Sequence, residues 1–387
     1  MIRDPAKLND LLATVRRFVR DVAIPNEARV SAEDVVPEDI VAEMRRLGFF
    51  GWSIPTEYGG AGLTTEELAL ANLELSQCAV AYRARVGTNT GIGAEGLVQD
   101  GTVEQKQRYL PAFASGELTS CLAVTEPEAG SDVLNLTTTA TRDRDGAWIL
   151  NGTKRYITNA PIADVFTVIA RTGAVGGGAS ALSAFFVERG AAGMEVAAQH
   201  RKMGQEGSPV SEIRFDQCRV PANALLGGVE GQGFRTVMRA LNKQRINLAA
   251  LCTGPAIRLL DEALRHATTR RQFGQPIGEF QLVQAMLADC KVEIEAARAL
   301  ILETARKRDR GEDVTMDVSM CKYFASEMCG RVADRVVQIF GGAGYCEDIG
   351  GAVPRFYRDV RLFRLYEGTS QIHQLNIARH LLRAAAH

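Results

Sequence analysis

The sequence predicts a multidomain α and β protein in three successive parts: an all-α domain over residues 1–119, a compact β domain over 120–232 and a long-helix bundle over 233–387. Three observations lead there. Apolar residues recur at steps of three and four through the first third. Short β-branched and aromatic runs separated by turn signals fill the middle. After Gly231-Gln232-Gly233 the helical period returns and persists to the end. At 387 residues the chain is also too long for one ordinary core.

Asp4-Pro5 has the form of an N-cap followed by proline at the first helical position, and Leu8, Leu11, Leu12, Val15, Phe18 and Val19 follow at helical spacing. Further helical patterns cover Pro37–Leu47, Thr65–Gln77 and Val103–Phe113, interrupted by Glu57-Tyr58-Gly59-Gly60-Ala61-Gly62. In the middle part Trp148-Ile149-Leu150, Val165–Ile169, Ala184–Val187 and Ile213–Phe215 read as strands, with turns expected at Asn151-Gly152 and Gly176-Gly177-Gly178. In the last part Phe280, Val283, Leu287, Cys290, Ile294, Ala297 and Ile301 trace the seam of an antiparallel bundle. Cys321, Phe324, Met328, Val332, Val336 and Ile339 mark a second seam, closed by Gly341-Gly342 as a C-terminal cap.

The composition, 46% hydrophobic and 24% charged with a net charge of -1, carries no electrostatic footprint for nucleic acid or an anionic membrane, so neither partner is expected. Eight cysteines, with no C-x-x-C pair, read as buried free thiols of a reducing compartment. The five histidines are dispersed, with His373, His380 and His387 in or after the last helix, and no metal site is expected. The amino terminus lacks the apolar run of a signal peptide and no stretch is long enough to span a bilayer, which predicts a cytoplasmic protein.

Three motifs raise functional questions. Gly91-Ile92-Gly93-Ala94-Glu95-Gly96 matches the dinucleotide fingerprint in letters but lies in a helical region, without the strand and βαβ unit that fingerprint needs. Thr125-Glu126-Pro127-Glu128-Ala129-Gly130-Ser131-Asp132 reads either as a polar connection between domains or as backbone amides and hydroxyls that hold a polar ring and a carbonyl. Tyr366-Glu367-Gly368-Thr369-Ser370-Gln371-Ile372 places a carboxylate before a glycine, a hydroxyl residue and a helix start, the layout of a positioned base.

The last two segments together resemble the acyl-CoA dehydrogenase family, and the resemblance runs along nearly the whole chain. It implies an N-terminal all-α domain, a middle β-barrel or sandwich and a C-terminal four-helix bundle. It further implies an FAD cofactor, an acyl-CoA substrate of fatty acid metabolism, a homotetramer and an electron-transferring flavoprotein as electron acceptor. By this resemblance Glu367 is the catalytic base. The flavin is met by Leu122, Val124, Thr125, Tyr156 and Thr158 in the β domain, with Thr369 and Gln371 after the base. Arg270, Gln272, Phe273 and Gln281, and then Gln338, Gly341 and Gly342, resemble the segments that reach a neighbouring subunit's FAD. Ser131, Asn242, Arg245 and Gly368 stand where the family meets the acyl-CoA.

Some positions depart from the family. Ala160 stands in place of a usual glycine, and Asn242 replaces a frequent aspartate that meets the pantetheine, which leaves a carrier-protein thioester open as the substrate. One subgroup places its base just before the arginine at position 245; here Gln244, an amide, cannot take a proton. Tyr82-Arg83 bears a local resemblance to glutaryl-CoA dehydrogenase, in which the matching arginine holds a distal carboxylate; the other reading of Arg83 is a solvated charge at a helix end. A flavin oxidase on the same fold and a catalytically silent flavin-binding scaffold are the competing functions.

Overall fold

In the computed structural model of the chain the described residues are 1–386, so His387 lies outside them. The N-terminal part is helical: α1 (Pro5–Phe18), α2 (Glu27–Glu33), α3 (Glu38–Arg46), α4 (Thr65–Leu75), α5 (Val80–Gly87), α6 (Glu95–Asp100) and α7 (Val103–Ser115). The Asp4 carboxylate accepts from the Ala6 and Lys7 amides, capping α1, and Thr64–Glu67 and Thr102–Gln105 form capping boxes on α4 and α7. Phe18, Phe49, Trp52 and Tyr82 pack edge to face or tilted in the core. The Gly91–Gly96 motif falls on a kinked helical turn and the start of α6. Its glycines permit close packing: a Cβ on Gly91 would lie 2.6 Å from the Gln244 amide oxygen, and one on Gly93 would lie 2.3 Å from the Ser120 hydroxyl.

The middle part is one seven-stranded sheet of β1 (Ser120–Ala123), β2 (Thr139–Arg142), β3 (Trp148–Thr158), β4 (Val165–Arg171), β5 (Leu182–Glu188), β6 (Met194–Val196) and β7 (Val210–Val220). The order is β1-β4-β2-β3-β7-β6, with β5 pairing β4. β4 is buried along its whole length because both its faces are covered. Phe166, Val168 and Ala170 join the sheet's inner core with Phe185 and Trp148, while Val165 and Ile169 meet Leu110, Phe113 and Val237 from helices.

Asn151-Gly152 is not the expected turn. It is a bulge inside β3, where the register against β7 shifts between Leu150 and Gly152. Gly152 has φ +146°, and a Cβ there would lie 2.5 Å from the Thr138 hydroxyl, so glycine is required for a close approach rather than for a reversal. The Asn151 side-chain oxygen accepts from the Gln217 amide on the partner strand.

The last part opens with the 37-residue α8 (Gly233–Thr269), passes a small hairpin of β8 (Arg271–Gln272) and β9 (Gln275–Pro276), and continues through α9 (Gln281–Asp309), α10 (Thr315–Phe340), α11 (Ala352–Asp359) and α12 (Ser370–Ala385). Helices α8, α9, α10 and α12 form the bundle. The seams read from sequence share one core: Cys290, Ile294, Ala297 and Ile301 on α9 with Cys321, Met328, Val332, Val336 and Ile339 on α10. The cysteines are free, and seven are buried. Cys346 departs from the expectation of buried thiols: it is exposed, because it follows α10 in a loop outside the bundle. Among the described residues no helix is long and apolar enough to cross a membrane, and no side-chain cluster could hold a metal ion.

Candidate active site

Glu367 lies in the connection between the short helical turn Val360–Arg364 and α12, on a left-handed backbone with φ +52°, followed by Gly368 at φ +94°. A non-glycine residue in this region is strained, and such strain persists only where the surroundings impose it. Here they do. The Glu367 carbonyl accepts from Arg245 Nε and faces His373 Nε2, each at 3.2 Å, and the Gly368 carbonyl accepts from Lys322 Nζ at 2.7 Å. A Cβ on Gly368 would lie 2.9 Å from the His373 ring, so glycine alone fits. Thr369 caps α12 through its hydroxyl, which accepts from the Ile372 amide, and Gln371 is exposed in the first turn.

Around the carboxylate the polar groups are incompletely paired. Glu367 Oε2, the Tyr366 hydroxyl and Gln244 Nε2 are all buried without a hydrogen-bond partner, the condition of a site shaped for something else. Burial pushes the Glu367 carboxyl above its ordinary range, opposed by the positive charges of Arg83, Arg245 and Lys322. Burial, reinforced by Arg245 and Lys322, lowers His373 to about 3; it is therefore neutral, and its contact with the Glu367 carbonyl assigns the proton to Nε2.

Arg83 is not a solvated charge. Its Nε donates to the Asn72 side chain at 2.9 Å, its guanidinium lies against Gly87, and burial lowers its pKa, while Glu367 and Tyr366 are among the groups that feel its charge. Asn242 and Arg245, both expected at the site, are joined to each other at 2.8 Å and through Arg245 to Glu367. Three residues here escaped the sequence reading: Lys322, His373 and Asn72. The detectable signal was a lone lysine within the apolar stripe Val318, Cys321, Ala325 and Met328 of α10.

On the β domain, Leu122, Val124, Thr125 and Thr158 are half-buried. Their segment is held from beneath: Lys154 Nζ donates to the Val124 carbonyl at 3.0 Å and to Glu126 at 2.8 Å, while Arg155 N–H donates to the Thr125 carbonyl at 2.8 Å. Glu126 also accepts from the Thr137 and Thr138 amides. Next to Thr158, Asn159 donates to Ala84 O and Thr88 Oγ1, which ties this segment to the helical stretch that carries Arg83. Tyr156 is displayed at φ +60° with 64% of its surface exposed; its ring lies tilted against His200 at 5.6 Å, and the exposed remainder leaves room for a flat ring laid against it. Ser131 is exposed on the loop beyond the Glu126–Ala129 turn.

The remaining expected residues lie elsewhere. Arg270, Gln272, Phe273 and Gln281 sit on or beside the α8–α9 hairpin, and Gln338, Gly341 and Gly342 at the end of α10. All are exposed, and Phe273 is 93% exposed at φ +51°. His266 stacks on Phe340 at 4.1 Å, so the two groups share one end of the bundle. Lys322, beside Glu367, is 18 positions (340 − 322) before that end of α10. At 1.5 Å per residue the separation is about 27 Å. The chain therefore does not bring these residues to its own Glu367.

Comparison with known proteins agrees with this architecture. The N-terminal, middle and C-terminal domains of acyl-CoA dehydrogenase match residues 6–117, 121–218 and 231–382. A Bacillus subtilis acyl-CoA dehydrogenase is 38% identical over 368 residues, covering 95% of this chain and 96% of that one. A chain from the structure of an electron transferring flavoprotein of Acidaminococcus fermentans superposes with a TM-score of 0.94 at 34% identity, covering 99% and 100% of the two chains. Glutaryl-coenzyme A dehydrogenase in its glutaryl-CoA complex superposes with a TM-score of 0.91 at 35% identity, covering 99% and 96%. With the three domains matched in order and relatives similar over nearly the full length, the chain belongs to the acyl-CoA dehydrogenase family of FAD-dependent oxidoreductases.

Proposed function

We propose that this protein dehydrogenates an acyl-CoA thioester between Cα and Cβ, with Glu367 as the base that takes the α-proton and an electron-transferring flavoprotein as the final acceptor. One observation carries the reading: a buried carboxylate oxygen of Glu367 that no protein donor satisfies, on a backbone held in a strained conformation by three donors. A proton next to a thioester is weakly acidic, so its removal needs a base of raised pKa within reach, and burial supplies that shift. Arg83, Arg245 and Lys322 keep the carboxylate ionisable by opposing burial. Bound FAD supplies the acceptor for the β-hydrogen, as hydride. Val124, Thr125, Tyr156 and Thr158 of one subunit would hold the flavin end. Because Arg270, Gln272, Phe273 and Gln338 lie at the far end of the bundle, a helix end about 27 Å along α10 from Lys322 beside the base, they serve the pyrophosphate and adenosine of a neighbouring subunit in a homotetramer.

The acyl group is one that ends in a carboxylate. Arg83 is drawn inward beside Glu367 with a single hydrogen bond, to Asn72, which leaves guanidinium donors for an anionic chain end.

Anaerobic mixing of the purified flavoprotein with a panel of acyl-CoAs, followed by loss of flavin absorbance, tests the function. Glu367→Gln should keep fold and FAD content yet slow flavin reduction by on the order of 10²- to 10⁴-fold. Near-normal reduction by the best substrate in that variant would exclude Glu367 as the base.

A further inference from the structure

We infer that Lys322 is a positioning residue for the base: its ammonium, sealed inside the bundle, grips the Gly368 carbonyl and fixes the left-handed Glu367-Gly368 segment with the carboxylate facing the acyl cleft. The inference rests on the reading of Glu367 as base. Lys322 is fully buried on α10, and its hydrogen bond is to the Gly368 carbonyl at 2.7 Å. No carboxylate forms an ion pair with it among the described residues. A buried ammonium whose hydrogen-bond partner is a neutral carbonyl opposes folding relative to an apolar side chain of similar size. Its neighbours on the same helix face, Val318, Ser319, Ala325 and Ser326, are small or apolar and buried, and none of them carries a charge that would call for an ammonium here.

The grip falls at the weakest point of the site. Glu367 and Gly368 both have positive φ and belong to no helix or strand, so the aim of the carboxylate depends on what holds their carbonyls. Three elements converge on those two oxygens: α8 through Arg245, α12 through His373 and α10 through Lys322. Arg245 is shared with Asn242, and His373 is neutral. Lys322 is thus the one cation of the three donors whose hydrogen bond goes to this segment alone.

The groups that face the Glu367 carboxylate electrostatically are Arg83 from α5, Arg245 from α8 and Lys322 from α10. Tyr366 and the Cys252 thiol stay protonated, since burial raises both well above their ordinary range. Removing Lys322 therefore takes away one of three cations and moves the acid limb of the base upward in pH.

Two substitutions separate the grip from the charge. Lys322→Met removes both, and Lys322→Gln returns a donor without charge. In the FAD-loaded protein, Lys322→Met should lower the flavin-reduction rate about 10- to 100-fold at little change in KM, and shift the acid limb of its pH profile up by on the order of one unit. Lys322→Gln should recover most of the rate and keep the shifted limb. FAD content, measured on both, would stay near wild type and the thermal midpoint would not fall; if Lys322→Met fails to fold, Lys322→Gln decides by its acid limb. A wild-type rate and acid limb in either variant, or a rate loss in proportion to FAD loss, would overturn the inference. Glu367→Gln, run alongside, tells the two ideas apart. If it is slow while the Lys322 variants are normal, only the positioning role falls; if it reduces flavin normally, the base reading falls and the positioning role with it.

Discussion

Replacing Glu126 by glutamine should destabilise the protein and loosen FAD together. Glu126 and Lys154 form an ion pair whose side chains are 2% and 0% exposed. Lys154 and the amides of Thr137 and Thr138, with the Thr137 hydroxyl, hold the Glu126 carboxyl down to about 2 against the opposing effect of burial. A drop from 4.5 to about 2 is 2.5 units, which at 1.36 kcal/mol per unit is about 3 kcal/mol of stability. Because the folded-state pKa is depressed, that stability is present above about pH 4.5 and disappears as pH falls toward 2. Burial already lowers Lys154 to about 8 with Glu126 beside it, so Glu126→Gln drives the amine toward its neutral form near pH 7 and loses the ion pair, a change of similar size. With about 2.1 cal/mol/K of unfolding entropy per residue over 387 residues, 3 kcal/mol corresponds to a fall of about 4 °C in Tm. Lys154 also holds the Val124 carbonyl, so FAD retention on gel filtration should drop at the same time. Thermal melts at fixed protein and FAD concentration, at pH 7 and through pH 5 to 3, are the assay. A Glu126→Gln protein that melts within about 1 °C of wild type and keeps full FAD would refute the reasoning.

Arg270→Ala removes an exposed guanidinium assigned to the neighbour's pyrophosphate, and should lower FAD occupancy after dialysis while leaving the bundle's Tm unchanged; a monomer in solution that holds FAD at full occupancy would exclude cross-subunit binding. If Arg83 receives a carboxylate, glutaryl-CoA should reduce the flavin well and butyryl-CoA poorly, since an unpaired buried guanidinium penalises an apolar chain end. Arg83→Ala should reverse that order, and an unchanged preference would remove Arg83 from substrate recognition.

The three-part fold is legible because its signals are local. Capping pairs such as Thr64–Glu67, the period of α9 and α10, and the apolar run of β4 each announce an element without knowledge of its neighbours. Asn151-Gly152 misleads for the opposite reason: the dipeptide favours a turn, but pairing of β3 with β7 on both sides of it overrides the local preference. At the site, Glu367, Asn242 and Arg245 are named by their motifs, and Lys322 leaves the trace of a lone lysine in an apolar stripe, whereas His373 and Asn72 become visible only once α12 and α4 are packed around them. Arg83 shows the same limit. A sequence cannot say which way an arginine at a helix end turns, and here Asn72, eleven residues upstream, turns it inward.

The separation of about 27 Å along α10 between Lys322, beside Glu367, and the helix end carries a genetic consequence on the proposal that FAD is shared. A subunit that lacks its base still owns an intact Arg270, and a subunit that lacks Arg270 still owns an intact Glu367. When the two are mixed in one oligomer, a site formed from the second subunit's base and the first subunit's arginine is whole, while the reciprocal site carries both lesions. Co-expression of a variant without the base and a flavin-poor variant without Arg270 would then yield whole sites, up to half of those in a mixed pair. Defects at Glu367 and at Arg270 would complement each other, although they fall in one gene.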